Sequence, residues 1–318
     1  MNTFFNVIFR TSFTYCFVVL ISVFSSYISA SEIEKQFNLS EIADGNFLHT
    51  GVHVSIEDKR HDDIANIGFI IGENCVAVID TGGSITIGTK LLESIRSKTD
   101  KPICYVINTH IHFDHILGNK AFNKEQPKFV GHYQLAEAVE QNKSFFLENY
   151  KNDLGLNPDE NSIIGPDILV EKTIQLDLGE RNLTLMPFPT SHSYNDLIVI
   201  DNITKTLWAG DLIFRQRIPS LTGSLKGWLK TMDDLSKLDV KKVIPGHGAV
   251  ADTFMQAIEQ QQKYFLMLLE ETRNSIEKGA FINDAIETID TGNSFNWLLH
   301  EQQHAGNVSK AYTELEWE

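Results

Sequence analysis

The chain has 318 residues, 42% of them hydrophobic and 22% charged, which is enough apolar material for a substantial core and unlike a disordered or collagen-like chain. A formal net charge of −15, with no basic patch interleaved with aromatics, argues against a nucleic-acid partner and against attraction to anionic membranes. No Gly/Ser/Pro-rich linker, low-complexity segment or internal repeat divides the sequence, so one large domain is expected.

Residues 1–30 stand apart, because Arg10 is their only charge and the apolar run 13–27 leads to small residues at Ile28-Ser29-Ala30. This pattern predicts a secretory signal peptide cleaved after Ala30; the run is too short, and too broken by Ser and Thr, for a membrane anchor. Cys16 lacks the context of a lipoprotein attachment site and leaves with the peptide. The mature chain then carries a net charge of −16 and is expected in the periplasm, unattached to the membrane. An oxidising compartment bears on the two remaining cysteines, Cys75 and Cys104, each near the start of a strand-like run. If those strands are neighbours, the pair is level enough for a disulfide; two buried free thiols are the alternative.

Along the mature chain, 46–56 and 64–71 read as strands of a hairpin around the polar stretch 57–63. A strand at 75–79 ends in Asp80-Thr81-Gly82-Gly83, and Ile87, Leu91 and Ile95 give 85–98 a helical period. A second strand, 103–108, runs directly into Thr109-His110-Ile111-His112-Phe113-Asp114-His115. Strand, polar turn, helix, strand, polar turn is the order of an α/β protein, a class that places ligands at the carboxyl ends of its strands. A helix at 134–147, a loop through 155–167 and strands at 173–178, 183–188, 197–200 and 206–209 follow. A helix at 225–238 buries Leu225, Leu229, Met232 and Leu235, and a strand at 242–244 meets Pro245-Gly246-His247-Gly248. The rest, 252–318, is a helical extension expected to pack on the domain at 31–251; its first helix, 252–278, carries the stripe Phe254, Ile258, Phe265, Leu268 and Ile276.

Chemistry concentrates at 109–115, where three imidazoles and a carboxylate would each need a partner if buried. A zinc-like divalent ion, which takes neutral imidazole nitrogen and carboxylate oxygen at about 2.0–2.2 Å, supplies that partner better than a histidine-rich surface loop would. His192, Asp211 and His247 recur at the ends of later strand-like runs, and this repetition makes them ligands rather than isolated polar residues. His49, His53, His61, His132, His300 and His304 have no clustered partner and read as structural or solvated. His61 is the exception to watch, because the tip at 57–63 is placed to overhang the metals. Arg215 and Arg217 are the cations nearest Asp211, read either as anchors for a substrate carboxylate or as loop charges. Tyr194, two residues after His192, is read as an oxyanion donor or as packing.

Asp80-Thr81-Gly82, Thr109 to His115, Ser191-His192-Ser193, Gly210-Asp211 and Pro245-Gly246-His247-Gly248 occur in the order seen in the metallo-β-lactamase superfamily, which the chain resembles over about residues 45–250. The resemblance implies an α/β fold of the αββα type, two mixed sheets face to face with a dinuclear site on one edge. It also implies two Zn2+, iron or manganese being the alternatives: His110, His112 and His192 on one, Asp114, His115 and His247 on the other, and Asp211 bridging them. Asp80 falls outside this set and is expected to orient a ligand histidine. The carboxylate of Asp211 is similar to glyoxalase II-like hydrolases, where cysteine-bearing β-lactamases have a thiolate. His112 argues against flavodiiron proteins, and Phe214 stands where lactonases often carry tyrosine.

The segments Ala65-Asn66-Ile67-Gly68-Phe69-Ile70, Cys104 to His115, Gly223-Ser224-Leu225-Lys226-Gly227-Trp228-Leu229 and Ala311-Tyr312-Thr313-Glu314-Leu315-Glu316-Trp317-Glu318 resemble the periplasmic zinc metallohydrolases of quinoprotein relay systems, relatives of sulfur-oxidation hydrolases. That resemblance implies a functional link to a quinoprotein alcohol dehydrogenase or cytochrome c. The implied reaction is hydrolysis of an activated acyl bond in a small molecule, an ester or thioester before an amide, by a metal-bridging hydroxide that Asp114 orients. The alternatives are β-lactam hydrolysis, iron-dependent sulfur oxidation, and a non-catalytic relay role.

Overall fold

Val76 and Val78 point one way and Ala77 and Ile79 the other, and this period-2 alternation explains how one strand serves two cores. The computed structural model describes Met1 and residues 37–318; the predicted signal peptide lies outside the described residues. In chain order the elements are β1 (Leu39–Ala43), β2 (Asn46–His49), β3 (Ile67–Ile71), β4 (Val76–Ile79), α1 (Ile85–Lys98), β5 (Ile103–Ile107) and the single turn α2 (Phe113–Ile116). They continue with β6 (Lys128–His132), α3 (Leu135–Asn149), β7 (Ile168–Val170), β8 (Ile174–Asp177), β9 (Asn182–Pro187), β10 (Leu197–Asp201), β11 (Thr206–Trp208) and α4 (Leu225–Leu235). The last are β12 (Lys242–Ile244), α5 (Phe254–Glu277), α6 (Ile282–Thr288) and α7 (His300–Leu315).

The strands form a seven-stranded sheet in the order β1-β2-β3-β4-β5-β6-β7 and a five-stranded sheet in the order β12-β11-β10-β9-β8. Each is mixed, with β4 to β7 parallel in the first and β11 and β12 parallel in the second. Leu48, Ile70, Ala77, Ile79 and Ile107 of the first sheet pack against Leu183, Leu185, Val199 and Trp208 of the second. On the outer face of the first sheet, Ile87, Leu91 and Ile95 of α1 cover Phe69, Val78 and Val106. On the outer face of the second, α4, α5 and α7 cover Ile198, Leu207 and Val243. The result is the expected αββα sandwich. Among the described residues no helix is long and apolar enough to cross a membrane.

Two expectations need correction, and one left open resolves. The strands expected at 46–56 and 64–71 are cut to Asn46–His49 and Ile67–Ile71, because the Asn66 N–H donates to Gly246 O (2.8 Å) and the connection leaves the sheet there. Residues 50–66 instead fold over the edge of the sandwich, Gly51 lying so close to the Ile64 backbone that a Cβ would stand 2.3 Å from Ile64 O. Strands β1, β6 and β7 are additions that the hydrophobic pattern does not announce: Gly131 interrupts β6, and β7 has three residues. The cysteine alternatives resolve into a Cys75–Cys104 disulfide, with Cα atoms 5.8 Å apart. Parallel pairing puts Val76 beside Ile103 and Ala77 beside Tyr105, so Cys104 is the extra residue of a bulge and lies next to the start of β4.

Candidate metal centre

Every predicted ligand follows a strand end: the His110–His115 run after β5, His192 after β9, Asp211 after β11 and His247 after β12. Parallel pairing of β11 with β12, and the antiparallel steps through β10 to β9, bring those ends to one edge. Leu197 N donates to Thr109 O (2.8 Å), which stitches the two sheets together beside the site. His110, His115 and His192 are fully buried, and Asp114, Asp211 and His247 nearly so.

The donor atoms fall into two sets. His110 Nε2, His112 Nδ1 and His192 Nε2 converge, with His112 Nδ1 3.0 Å and 2.9 Å from the other two. Asp211 Oδ2 completes that set at 3.7 Å from His110 and 3.3 Å from His192. In the second set, Asp114 Oδ2 lies 3.5 Å from His115 Nε2 and 3.4 Å from His247 Nε2. Asp211 reaches this set too, 3.1 Å from His115 and 3.3 Å from His247, so it stands between the two as a bridging carboxylate must. Gly246 makes that placement possible, since a Cβ there would stand 1.9 Å from Asp211 Oδ1.

The far sides of the rings fix their tautomers. His192 Nδ1–H donates to Ser220 O (2.7 Å) and His247 Nδ1–H to Ile64 O (2.7 Å), which leaves each Nε2 bare toward the centre. Asp80 controls two more: its Oδ2 accepts from His115 Nδ1–H (2.8 Å) and from the Thr109 hydroxyl (2.8 Å), and its Oδ1 accepts the Thr109 N–H (2.8 Å). With its hydroxyl hydrogen committed to Asp80, Thr109 Oγ1 accepts from His110 Nδ1–H at 3.0 Å. Asp80 holds a left-handed backbone (φ 54°) at the end of β4, a strained conformation retained at this site.

Electrostatics tests whether the set fits a cation. Burial drives His110 and His112 below the ordinary imidazole value and takes His192 down to about 3, so these rings are neutral and their lone pairs available. Burial also acts to lower His115, but Asp211, Asp114 and Asp80 outweigh it and raise the group well above its ordinary value. Burial works to raise Asp211, and His247, His115, His110 and His192 overcome it, holding the carboxyl well below the usual range. His115 Nε2 and Asp211 Oδ1 have no hydrogen-bond partner. Buried carboxylates, bare imidazole nitrogens and orphaned atoms aimed at common points are what two divalent ions would satisfy.

The other predicted residues divide. Asp80 lies behind His115, accepting its Nδ1–H. Arg215 does not face the centre: it donates to Ala249 O and Val250 O (both 2.6 Å), propping the turn after His247. Arg217 does approach, with Nη1 3.4 Å from His247 Nδ1. Tyr194 is exposed, unlike the buried donor residues. His61 sits in the connection 50–66, hydrogen-bonded to Asp58 O (2.9 Å) and to Asp153 (3.2 Å), with its ring 6.2 Å from Phe113. Phe214 stacks on His247 (4.9 Å, 21°), so that position presents no hydroxyl. Two contributors were not anticipated. Thr109 relays Asp80 to His110, and Asn66 clamps the His247 turn by donating to Pro245 O and Gly248 O (both 2.8 Å). A lone asparagine in the apolar run 64–71 is the signal that marks the second.

The sandwich and its two donor sets define a metal-dependent hydrolase. The chain belongs to the metallo-beta-lactamase superfamily, whose family model matches residues 60–247. It is 28% identical over 204 residues to a protein described as a "probable metallo-hydrolase" from Methanocaldococcus jannaschii, covering 59% of this chain and 89% of that protein. A 58-residue stretch is 45% identical to a linear primary-alkylsulfatase of Pseudomonas sp. (strain ATCC 19151), which is 18% of this chain and 11% of the sulfatase. Among solved structures, a stereoselective inverting sec-alkylsulfatase from Pseudomonas sp. superposes with a TM-score of 0.67 at 16% identity, over 87% of this chain and 50% of that one. The chain thus spans half or less of the length of the two sulfatases it matches.

Proposed function

We propose that the protein is a periplasmic dinuclear zinc hydrolase that cleaves an activated ester or thioester. The observation that carries this reading is the placement of Asp211 between two converging donor sets. Two divalent ions bound there supply Lewis acidity and lower the pKa of water to about 7, so hydroxide is available at neutral pH. The residues of the chain do the rest. His110, His112 and His192 would hold one ion and Asp114, His115 and His247 the other, with Asp211 within reach of both sets. Asp114, through the carboxylate oxygen that is not in the donor set, orients the attacking water, takes its proton and returns it to the departing thiolate or alkoxide, giving an acid and a thiol or alcohol. Asp80 and Thr109 keep the tautomers of His115 and His110 that this arrangement needs.

Metal analysis of protein recovered from the periplasm, with intact mass, tests the reading in one preparation. Two zincs per chain and an N-terminus at Ser31 are expected; a single iron would overturn hydrolysis in favour of sulfur oxidation. The same preparation assayed against a thioester series and a chromogenic cephalosporin should turn over the thioesters, and efficient turnover of the cephalosporin alone would sink the acyl preference. The quinoprotein link predicts a growth defect on alcohols both on gene deletion and in Asp114→Asn; a defect on deletion alone would point to a non-catalytic relay role.

A second reading, sulfate ester hydrolysis, is favoured by one observation. The likeness to the sec-alkylsulfatase covers 87% of this chain, well beyond the family match that stops at residue 247. Adding alkyl sulfates to the substrate panel separates the two.

A further inference from the structure

The segments 223–229 and 311–318, far apart in the sequence, meet where Glu314 of α7 caps the first turn of α4. Its carboxylate accepts from the Ser224 hydroxyl (2.7 Å), Leu225 N (2.6 Å) and Lys226 N (3.3 Å), and so satisfies N–H groups that α4 cannot pair within itself. Two turns earlier on the same face of α7, the fully buried Asn307 accepts the Leu221 N–H (2.9 Å) and donates to Pro219 O (2.8 Å). Its amide has one possible orientation. His304 Nε2–H donates to Ile289 O, so His304 Nδ1 accepts the Tyr264 hydroxyl proton (2.9 Å), and the Tyr264 oxygen in turn accepts from Asn307 Nδ2 (3.1 Å). One turn before Asn307, Gln303 donates to Ser220 Oγ (2.7 Å). Three polar side chains of one helix face thus hold the loop 219–226.

That loop carries the partner of a predicted ligand. Ser220 O is the acceptor that keeps the proton of His192 on Nδ1 and leaves Nε2 bare toward the centre. The Thr222 hydroxyl donates to His192 O (2.5 Å) and Ser224 N to Ser191 O (2.9 Å), so loop and ligand are joined on both sides of the ring. Gly223 permits this approach, since a Cβ there would stand 2.3 Å from Ser191 O. The capped helix α4 adds a second contact, with the Trp228 ring 5.2 Å from that of His192. Val308 and Ala311 of α7 share one apolar core with Leu221, Leu225 and Trp228. Such packing attaches the helix but is non-directional, whereas the hydrogen bonds of Gln303 and Asn307 fix where the Ser220 carbonyl points. The second donor set is supported from elsewhere, His115 by Asp80 and His247 by Ile64 O. Neither of those rings bonds to a described residue of the extension.

We propose that α7 is a positioning strut for the first metal set: through Gln303, Asn307 and Glu314 it fixes the loop that orients His192. The extension beyond residue 251 thereby sets the affinity for one ion and leaves the other to the sandwich. Gln303, Asn307 and Glu314 are positioning residues, acting through Ser220 and α4 without touching a metal. The proposal rests on the two-ion reading of the centre and not on the reaction, so it is measured without a substrate.

The test titrates the metal-free mature protein with zinc against a competing chelator. His192→Ala and His247→Ala identify which of the two zinc constants belongs to which donor set. Asn307→Leu, and Gln303→Leu at a half-buried position where folding is not at risk, are each expected to weaken the constant that His192→Ala abolishes by about tenfold. The constant that His247→Ala abolishes should stay as in the wild type. Gln303→Glu, which accepts the Ser220 hydroxyl proton where glutamine donates to the oxygen, should restore the wild-type value. If Asn307→Leu does not fold, Gln303→Leu and its rescue decide. The strut is overturned if Gln303→Leu moves neither constant, if it weakens both equally, or if Gln303→Glu binds zinc no better than Gln303→Leu. A wild type with a single constant that His192→Ala leaves untouched is a different failure, because it removes the two-ion reading and the strut with it.

Discussion

Asp80 Oδ2 accepts two hydrogen bonds and Oδ1 a third, and together they set the orientation of His115 and, through Thr109, of His110. Asp80→Asn replaces one acceptor by a donor and leaves either the Thr109 hydroxyl or His115 Nδ1–H facing an N–H. Removal of such outer partners lowers metal affinity by about 10- to 100-fold. A chelator competition titration should show a loss of that size, and unchanged affinity would remove Asp80 from its orienting role. His132, outside the centre, makes a separate prediction. Burial pulls it from 6.5 down to about 4, and its Nδ1 accepts the Gln134 N–H (3.1 Å), which requires the neutral ring. A depressed histidine contributes stability that is complete above 6.5 and lost as pH falls toward 4, because the unfolded chain binds the proton first. Denaturant midpoints between pH 7 and pH 4 should therefore fall less steeply in His132→Gln than in the wild type.

At the level of elements, what was legible in the sequence was the coupling of strand to motif. Strands ending at Asp80, Thr109 and Pro245 follow from short apolar runs that stop at polar turns, and the period of Ile87, Leu91 and Ile95 gives α1 its extent. The excess length expected for β2 and β3 was not correctable from pattern, because Asn66, where the two part, accepts from Gly51 N (3.1 Å) and bonds a turn some 180 residues away. The disulfide stayed open for a related reason: whether Cys75 meets Cys104 depends on a bulge in a parallel pair, and hydrophobic alternation does not record a one-residue shift. A 29-residue loop closed by that bond should stabilise the fold by about 3.5 kcal/mol on the chain-entropy model. Urea unfolding of Cys75→Ala/Cys104→Ala against the wild type measures it, and equal midpoints would show that β4 and β5 hold their register without the bond. The pairing of Arg217 with Leu298 was equally invisible, since it joins the helical extension to the loop after Asp211.

Over the whole molecule, the donor residues run from His110 to His247 and belong to both sheets, so the centre is complete only when the sandwich has closed. Ions that bind the folded chain alone stabilise it by mass action, about 2.7 kcal/mol at a free concentration one hundred times Kd. Chelation should lower the Tm and zinc should restore it, whereas manganese or iron in the same buffer tests which ion the donor set prefers. A Tm indifferent to chelation would mean that the fold does not feel its metals.

The split of the donors between the sheets also bears on metal identity. A chain that has not docked its two halves owns no complete set, and its separate histidines compete poorly with cellular buffers. Whatever ion is most available in the compartment where the halves meet is the one captured first. The place of folding, as much as the chemistry of the ligands, thereby selects the metal.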